Sequence, residues 1–199
     1  MDSNANVDAT CKDNCAYTRD DQTDGSMYCF AHGSYPVRCA RPFIQFGPFG
    51  FLPTGTQNFN DSTSGVLTGS ITSITIYLGS FGNILEFVAG IDVTYGNDIP
   101  TLHGQRTDNN KTCDPLNAGQ NYGGVLGRAG SPPLSSPVFL LDFLDTAGNS
   151  LDCRFGNNEA GDAFEVPSNI SETIVFFAGA TTTDTNQLAT LFLYQQAIA

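Results

Sequence analysis

The sequence predicts an all-β protein, and three observations carry that prediction. A strand–turn–strand unit recurs three times. No segment shows a sustained apolar stripe at helical spacing. Glycine is abundant, at 21 of 199 residues, while charged residues make up only 14%. The first unit is Ile71-Thr72-Ser73-Ile74-Thr75-Ile76-Tyr77 with Val88-Ala89-Gly90-Ile91-Asp92-Val93-Thr94-Tyr95. The second is Val138-Phe139-Leu140-Leu141-Asp142-Phe143 with Leu151-Asp152-Cys153-Arg154-Phe155, and the third is Ile174-Val175-Phe176-Phe177 with Leu188-Ala189-Thr190-Leu191-Phe192-Leu193-Tyr194. β-Branched and aromatic residues dominate each unit, which is the composition of strands. Repetition of one supersecondary unit signals a pseudo-symmetric architecture. A chain of this length buries roughly 70% of its unfolded surface, so a full core is available.

Taken in order, residues 1–41 read as a Cys-rich acidic extension and residues 42–199 as the folded domain. The extension holds Cys11, Cys15, Cys29 and Cys39 and the cluster Asp20-Asp21-Gln22-Thr23-Asp24-Gly25, and it lacks strand-length alternation. A segment this polar is expected to rely on disulfides, with three possible pairings of its four cysteines. Cys11-x-x-x-Cys15 has metal-ligand spacing, but no second tight pair follows it. The acidic cluster is not an EF-hand, because the twelfth position from Asp20 is Ala31 instead of Glu.

In the domain, Ile44-Gln45-Phe46 leads into an expected turn at Gly47-Pro48-Phe49-Gly50. Strands are expected near 70–78, 85–96, 138–145, 150–155, 163–166, 173–178 and 188–196. Residues 104–137 read as turn-rich, with Asn121-Tyr122-Gly123-Gly124 and Pro132-Pro133, and with one short strand near 121–126. Cys113 and Cys153 remain as candidates for one bridge.

The net charge of −12, with eight basic residues, argues against nucleic acid, whose binding rests on Lys and Arg neutralising phosphates. It equally disfavours anionic membranes, and it leaves association with calcium or mineral open beside plain solubility. No apolar run reaches the roughly 20 residues that span a bilayer. Three N-glycosylation acceptors stand at Asn60-Asp61-Ser62, Asn110-Lys111-Thr112 and Asn169-Ile170-Ser171. With an even set of six cysteines they point to a secreted chain in mature form, the alternative being a cytosolic protein with reduced thiols.

The order and spacing of several motifs resemble a jacalin-related lectin domain over residues 42–197. Gly47-Pro48-Phe49-Gly50, Gly55 and Phe59-Asn60-Asp61 look like that family's opening Gly loop. Ile71-x-x-Ile74-x-Ile76 with Gly90-Ile91-x-Val93-x-Tyr95 looks like its first repeat, and Gly119-Gln120-Asn121-Tyr122-x-Gly124 like the start of the second. Phe155-Gly156, Gly161 and Phe164 look like the entry to the third. Phe177-x-Gly179 with Leu188-x-x-Leu191-x-x-Tyr194 looks like the closing hairpin. The resemblance implies a β-prism of three four-stranded antiparallel sheets with pseudo-threefold symmetry.

It also implies a sugar site in which the Asp of a Gly-x-x-x-Asp loop accepts hydrogen bonds from hydroxyls; charge-assisted bonds are roughly twice as strong as neutral ones. Here the corresponding positions are Ala189, Ala89 and Val138, and the opening Gly-Gly is Gly50-Phe51. The last loop, Gly179-Ala180-Thr181-Thr182-Thr183-Asp184-Thr185-Asn186-Gln187, offers Asp184 and Asn186 as replacement acceptors, although Thr and Asn also favour turns for local reasons. The candidate carbohydrate-binding residues are therefore Gly50, Phe51, Gly179, Asp184 and Asn186. Phe49, Phe51 and Phe59 suit stacking on a sugar face or packing in a core.

No catalytic motif is present: there is no Gly-x-Ser-x-Gly, no His-Glu-x-x-His and no phosphate-binding Gly-Lys element. Two histidines, His32 and His103, read as surface or satisfied residues. Asp142, Asp145 and Asp152 gather around one hairpin, where solvated carboxylates compete with glycosidic chemistry as an explanation. The expectation is a non-enzyme without cofactor or metal, binding glycans or glycoproteins. The alternative is an assembly protein of an extracellular matrix or filament, self-associating on a fold that has lost its sugar site.

Overall fold

The computed structural model describes residues 28–30, 36–38, 43–50, 55–62, 70–81, 85–96, 100–113, 121–130 and 137–197. The chain falls into two compact units, Met1–Ile44 and Gln45–Ala199. In the first, β1 (Tyr28–Phe30) pairs antiparallel with β2 (Pro36–Arg38). Cys11, Cys15, Cys39 and the acidic cluster at 20–25 lie outside the described residues, as does the Cys29 side chain.

The remaining strands are β3 (Ile44–Gly50), β4 (Thr56–Asn60), β5 (Ile71–Phe81), β6 (Leu85–Tyr95), β7 (Thr101–Gly104), β8 (Asn110–Cys113), β9 (Tyr122–Ala129), β10 (Val138–Asp145), β11 (Phe155–Gly156), β12 (Asp162–Val166), β13 (Glu172–Thr182) and β14 (Leu188–Ala197). None of the described residues is helical. The strands form three four-stranded antiparallel sheets, as expected. The first is ordered β7-β6-β5-β8, the middle β11-β10-β9-β12 and the closing β3-β14-β13-β4. In each sheet a long central hairpin is flanked by two shorter strands. The first two sheets take those flanking strands from the chain that follows the hairpin. The closing sheet takes them from the start of the domain, so the threefold pattern is closed by joining the two ends of the chain.

Alternation sets the faces. In β5, Ile74 and Ile76 are fully buried while Thr75 between them is half-buried. All three sheets contribute to one core, with Ile76, Ile91, Leu141, Phe143, Phe177 and Leu191 among its members. Tyr122 meets Phe143 edge-on at 5.7 Å, and Phe143 meets Phe177 at 6.2 Å, carrying an aromatic ladder from the middle sheet to the closing one. Truncating such a buried Phe to Ala costs about 3–5 kcal/mol. Cys113, at the end of β8, is bridged to Cys153, before β11, and ties the first sheet to the middle one.

Four strand expectations change. Residues 104–137 contain β8 and a full central strand, β9. Its glycines disguised it: a Cβ on Gly123 would lie 2.3 Å from Thr146 Cα, and one on Gly127 would lie 2.2 Å from the Phe164 ring. These glycines serve close packing, not turns. The expected strand at 150–155 reduces to one bridge at Ser150 and the short β11, because Asp152 takes a left-handed backbone at φ 55. Gly47-Pro48-Phe49-Gly50 is not a free turn but the second half of β3. Gly179 is not in the last loop but inside β13, paired with Leu191 and Phe59, where a Cβ would lie 2.1 Å from Thr190 O.

Candidate functional site at one end of the sheets

Three glycines mark the same backbone position in the three repeats. Gly50, Gly104 and Gly156 all have positive φ, at 88, 103 and 125. A Cβ on each would lie 2.4 Å from Ala189 O, 2.4 Å from Ala89 O and 2.1 Å from Phe139 O respectively. The residues after the latter two glycines donate to the same carbonyls, Gln105 N–H to Ala89 O at 3.0 Å and Asn157 N–H to Phe139 O at 2.8 Å. This register equates Ala89, Phe139 and Ala189. Spacing in the sequence had placed the middle member one residue earlier, at Val138. A bulge stands at the same place in all three, between Val88 and Gly90, Val138 and Leu140, and Leu188 and Thr190. None of the three carries a carboxylate.

The tip between β13 and β14 closes over this end. Thr183 donates from both its N–H and its hydroxyl to Gly55 O, at 3.0 and 2.8 Å. Asn186, left-handed at φ 51, donates from Nδ2 to Gly104 O at 2.9 Å. Inside the tip, Thr182 and Thr185 join hydroxyls at 2.7 Å, and the Gln187 N–H donates to Thr182 Oγ1 at 3.0 Å. Asp184 is exposed. Its Oδ1 accepts the Thr185 N–H at 2.8 Å, and its Oδ2 has no protein partner among the described residues. Gly50 thus lies against Ala189, and Asp184 and Asn186 stand in the tip that leads into β14. Asn186 spends its amide as a clamp on the first sheet. Gly179 is buried, and Phe51 lies outside the described residues.

Phe49 and Phe59 are packing residues. Phe49 stacks on Phe164 at 3.8 Å, and Phe59 stacks on His103 at 3.9 Å. His103 is buried and not at the surface, with Nε2 2.8 Å from Asp61 Oδ1. The buried Tyr95 hydroxyl donates to Asp61 Oδ2. Burial first, and the Asp61 carboxylate second, push the Tyr95 phenol far above its ordinary range.

Sequence reasoning missed a second polar cluster. Asp92, only 6% exposed, accepts Tyr77 Oη at 2.6 Å and the Arg106 fork at 2.8 and 3.1 Å. Desolvation and Asp92 raise the Tyr77 phenol. The signal was present: Asp92 interrupts an apolar strand at the place where Asp142 interrupts its counterpart. The three acids around the 138–155 hairpin have separate local partners. Asp142 is buried and accepts Ser150 Oγ at 3.1 Å. Asp145 accepts the Ala147 and Asn149 N–H groups, and bonds from Asn149 hold its carboxyl below the usual range. Asp152 is exposed, 3.7 Å from Lys111 Nζ.

All three glycosylation acceptors are exposed. Asn60 and Asn169 accept the N–H of Ser62 and of Ser171, each at 3.0 Å, and the Asn110 amide donates to Thr107 O and Asp108 O at 3.1 and 3.2 Å. No cluster of His, Cys, Asp and Glu suited to a metal ion occurs among the described residues.

No protein-family model and no curated protein matches the sequence. Solved structures do. A mannose-binding lectin from champedak is 20% identical, with a TM-score of 0.56, over 77% of this chain and 96% of that one. The Calsepa lectin solved with a biantennary N-glycan is 15% identical, with a TM-score of 0.58, over 79% of this chain and 98% of that one. A mannose-binding jacalin-related lectin from Ananas comosus is 19% identical, with a TM-score of 0.55, over 78% of this chain and 99% of that one. At these identities the likeness establishes architecture, and the chain has the β-prism fold of the jacalin-related lectins.

Proposed function

We propose that this protein is a secreted, non-enzymatic carbohydrate-binding protein that takes glycans or glycoproteins at the end of the prism where β3 finishes and the 183–187 tip closes. The observation that carries this reading is the contact of Gly50 with Ala189 at the start of β14, with the Asp184 carboxylate exposed in the tip that leads into that strand. The fold shared with lectins described as mannose-binding or solved with an N-glycan supports the substrate class. Function belongs to the site and not to the fold, so the acceptor must be identified in this chain. Ala189 cannot serve, and Asp184 supplies a charged acceptor from the lengthened tip. The six cysteines and three sequons support a secreted glycoprotein.

Calorimetric titration with methyl α-D-mannopyranoside and with a biantennary N-glycan tests the reading. Binding by the wild type that falls at least tenfold in Asp184→Ala, about 1.4 kcal/mol, is expected. No binding at millimolar sugar overturns it. In that case the second reading stands: an extracellular assembly protein, favoured by the absence of a carboxylate from all three equivalent positions. It expects a native particle larger than a monomer that dissociates when residues 1–41 are deleted.

A further inference from the structure

The threefold register lets the outer face of each sheet be compared with the others. On the first sheet the cross-strand rows are Asp92–Thr75–Thr112 and Gly90–Tyr77–Asn110. At the same places the middle sheet has Asp142–Leu126–Glu165 and Leu140–Arg128–Ala163. The first face is filled by the chain itself: Tyr77 and Arg106 close over Asp92, and Thr75 and Thr112 join hydroxyls at 2.9 Å. The middle face keeps the buried carboxylate and loses the filling. Asp142 is 6% exposed, and Ser150 Oγ is its hydrogen-bond donor among the described residues. Above it opens a groove of about 400 Å³.

We propose that this groove is a second carbohydrate subsite, separate from the tip, that takes one neutral pyranose ring. The choice of ligand class rests on the carbohydrate-binding reading; the existence of the site rests on the groove. Its volume lies within the roughly 300–1,000 Å³ of small-molecule sites. Leu126 and Leu140, on the same face as Asp142, give it an apolar surface suited to the C–H face of a sugar. Asp142 and Glu165 supply acceptors, and Arg154 and Asn158 supply donors. Two carboxylates face two guanidinium groups, so the lining has no net charge to favour an anion or a cation. The wall is preformed. Arg128 donates to Ala160 O at 2.9 Å and Gly161 O at 2.6 Å, and the Arg154 guanidinium donates to Asn158 Oδ1. Ordering entropy is therefore spent on folding rather than at binding.

The test follows amide chemical shifts of the full chain during titration with methyl α-D-mannopyranoside to about 100 mM, beyond the millimolar constants of weak sites. Saturable shifts at residues 126, 128, 142 and 163 are expected. They should persist in Asp184→Ala and weaken at least tenfold in Asp142→Asn. Ala163→Trp, at an exposed position on an edge strand, should abolish them by filling the groove while leaving the core intact. If the groove amides stay still while those of the tip move, the subsite is overturned and the tip site stands. If groove shifts appear but survive Ala163→Trp, the sugar is not in the groove, and the proposal fails. If groove shifts vanish in Ala163→Trp while the tip amides never move, the subsite stands and the tip site fails.

Discussion

Asp92 and Asp142 occupy the same place in two copies of one supersecondary unit, yet their surroundings differ. Asp92 is held by a phenol and a bidentate guanidinium from its own chain, whereas Asp142 has one hydroxyl and an open groove. A repeated fold imposes the backbone three times but not the side-chain network. Where the chain supplies its own partners the face is closed. Where it does not, a buried carboxylate remains beside an open groove. Asymmetry between equivalent positions is therefore a better guide to a site than the fold.

The strongest way to disturb this comparison is to separate the two sheets. Replacing Cys113 and Cys153 together by Ala removes the bridge between them, which closes a loop of 40 residues in sequence separation. Chain entropy places the cost at about 4 kcal/mol, read as a lower urea midpoint with intact strand signal in circular dichroism. An unchanged midpoint would mean that packing alone holds the sheets together.

The paired carboxylates come next. Asp92→Ala strands the Tyr77 hydroxyl and should cost about 1.5–3 kcal/mol in chemical denaturation. Asp142→Ala should cost about 1 kcal/mol or less, because the exposed Ser150 hydroxyl left behind can bond to water. Equal losses would erase the distinction between a closed and an open face.

A smaller effect is expected in alkali. Tyr77 and Tyr95 have raised values in the folded protein, both by burial first and by a neighbouring carboxylate second. In the unfolded chain a tyrosine ionises near pH 10. Below that pH both states hold the proton and the contribution is intact. Above it the unfolded state loses the proton first, so stability falls as pH rises. Ultraviolet titration should show that Tyr77 and Tyr95 ionise late and together with unfolding. Seven independent titrations near pH 10 would contradict the buried clusters.

The parts of the fold legible in the sequence were those that bury side chains by alternation. β5, β6, β10, β13 and β14 stand out because each pairs a long apolar set with β-branched residues. β9 was hidden because Gly123 and Gly127 have no side chain to alternate; they let Thr146 and Phe164 approach the strand. β7 and β8 are four residues each, too short for a period to register. In the candidate site, Asp184 and Asn186 were legible as polar residues in a lengthened loop. The clamp from Asn186 to Gly104 was not, because it joins residues 82 positions apart. The equivalence of Phe139 with Ala89 and Ala189 required the carbonyl contacts of Gly50, Gly104 and Gly156 and the bulge that each strand carries at that residue, which apolar spacing does not show. Asp142 reads as a solvated carboxylate in the sequence, and Asp92 does not stand out there at all; both are buried.

A crystal structure of the protein soaked with methyl α-D-mannopyranoside tests the central claim most directly. The account predicts a pyranose at the end formed by Gly50, Ala189 and the 183–187 tip, with a hydroxyl about 2.7–3.0 Å from Asp184 Oδ2. Sugar bound elsewhere with the tip vacant, or no sugar bound to a tip that is open in the lattice, would contradict it.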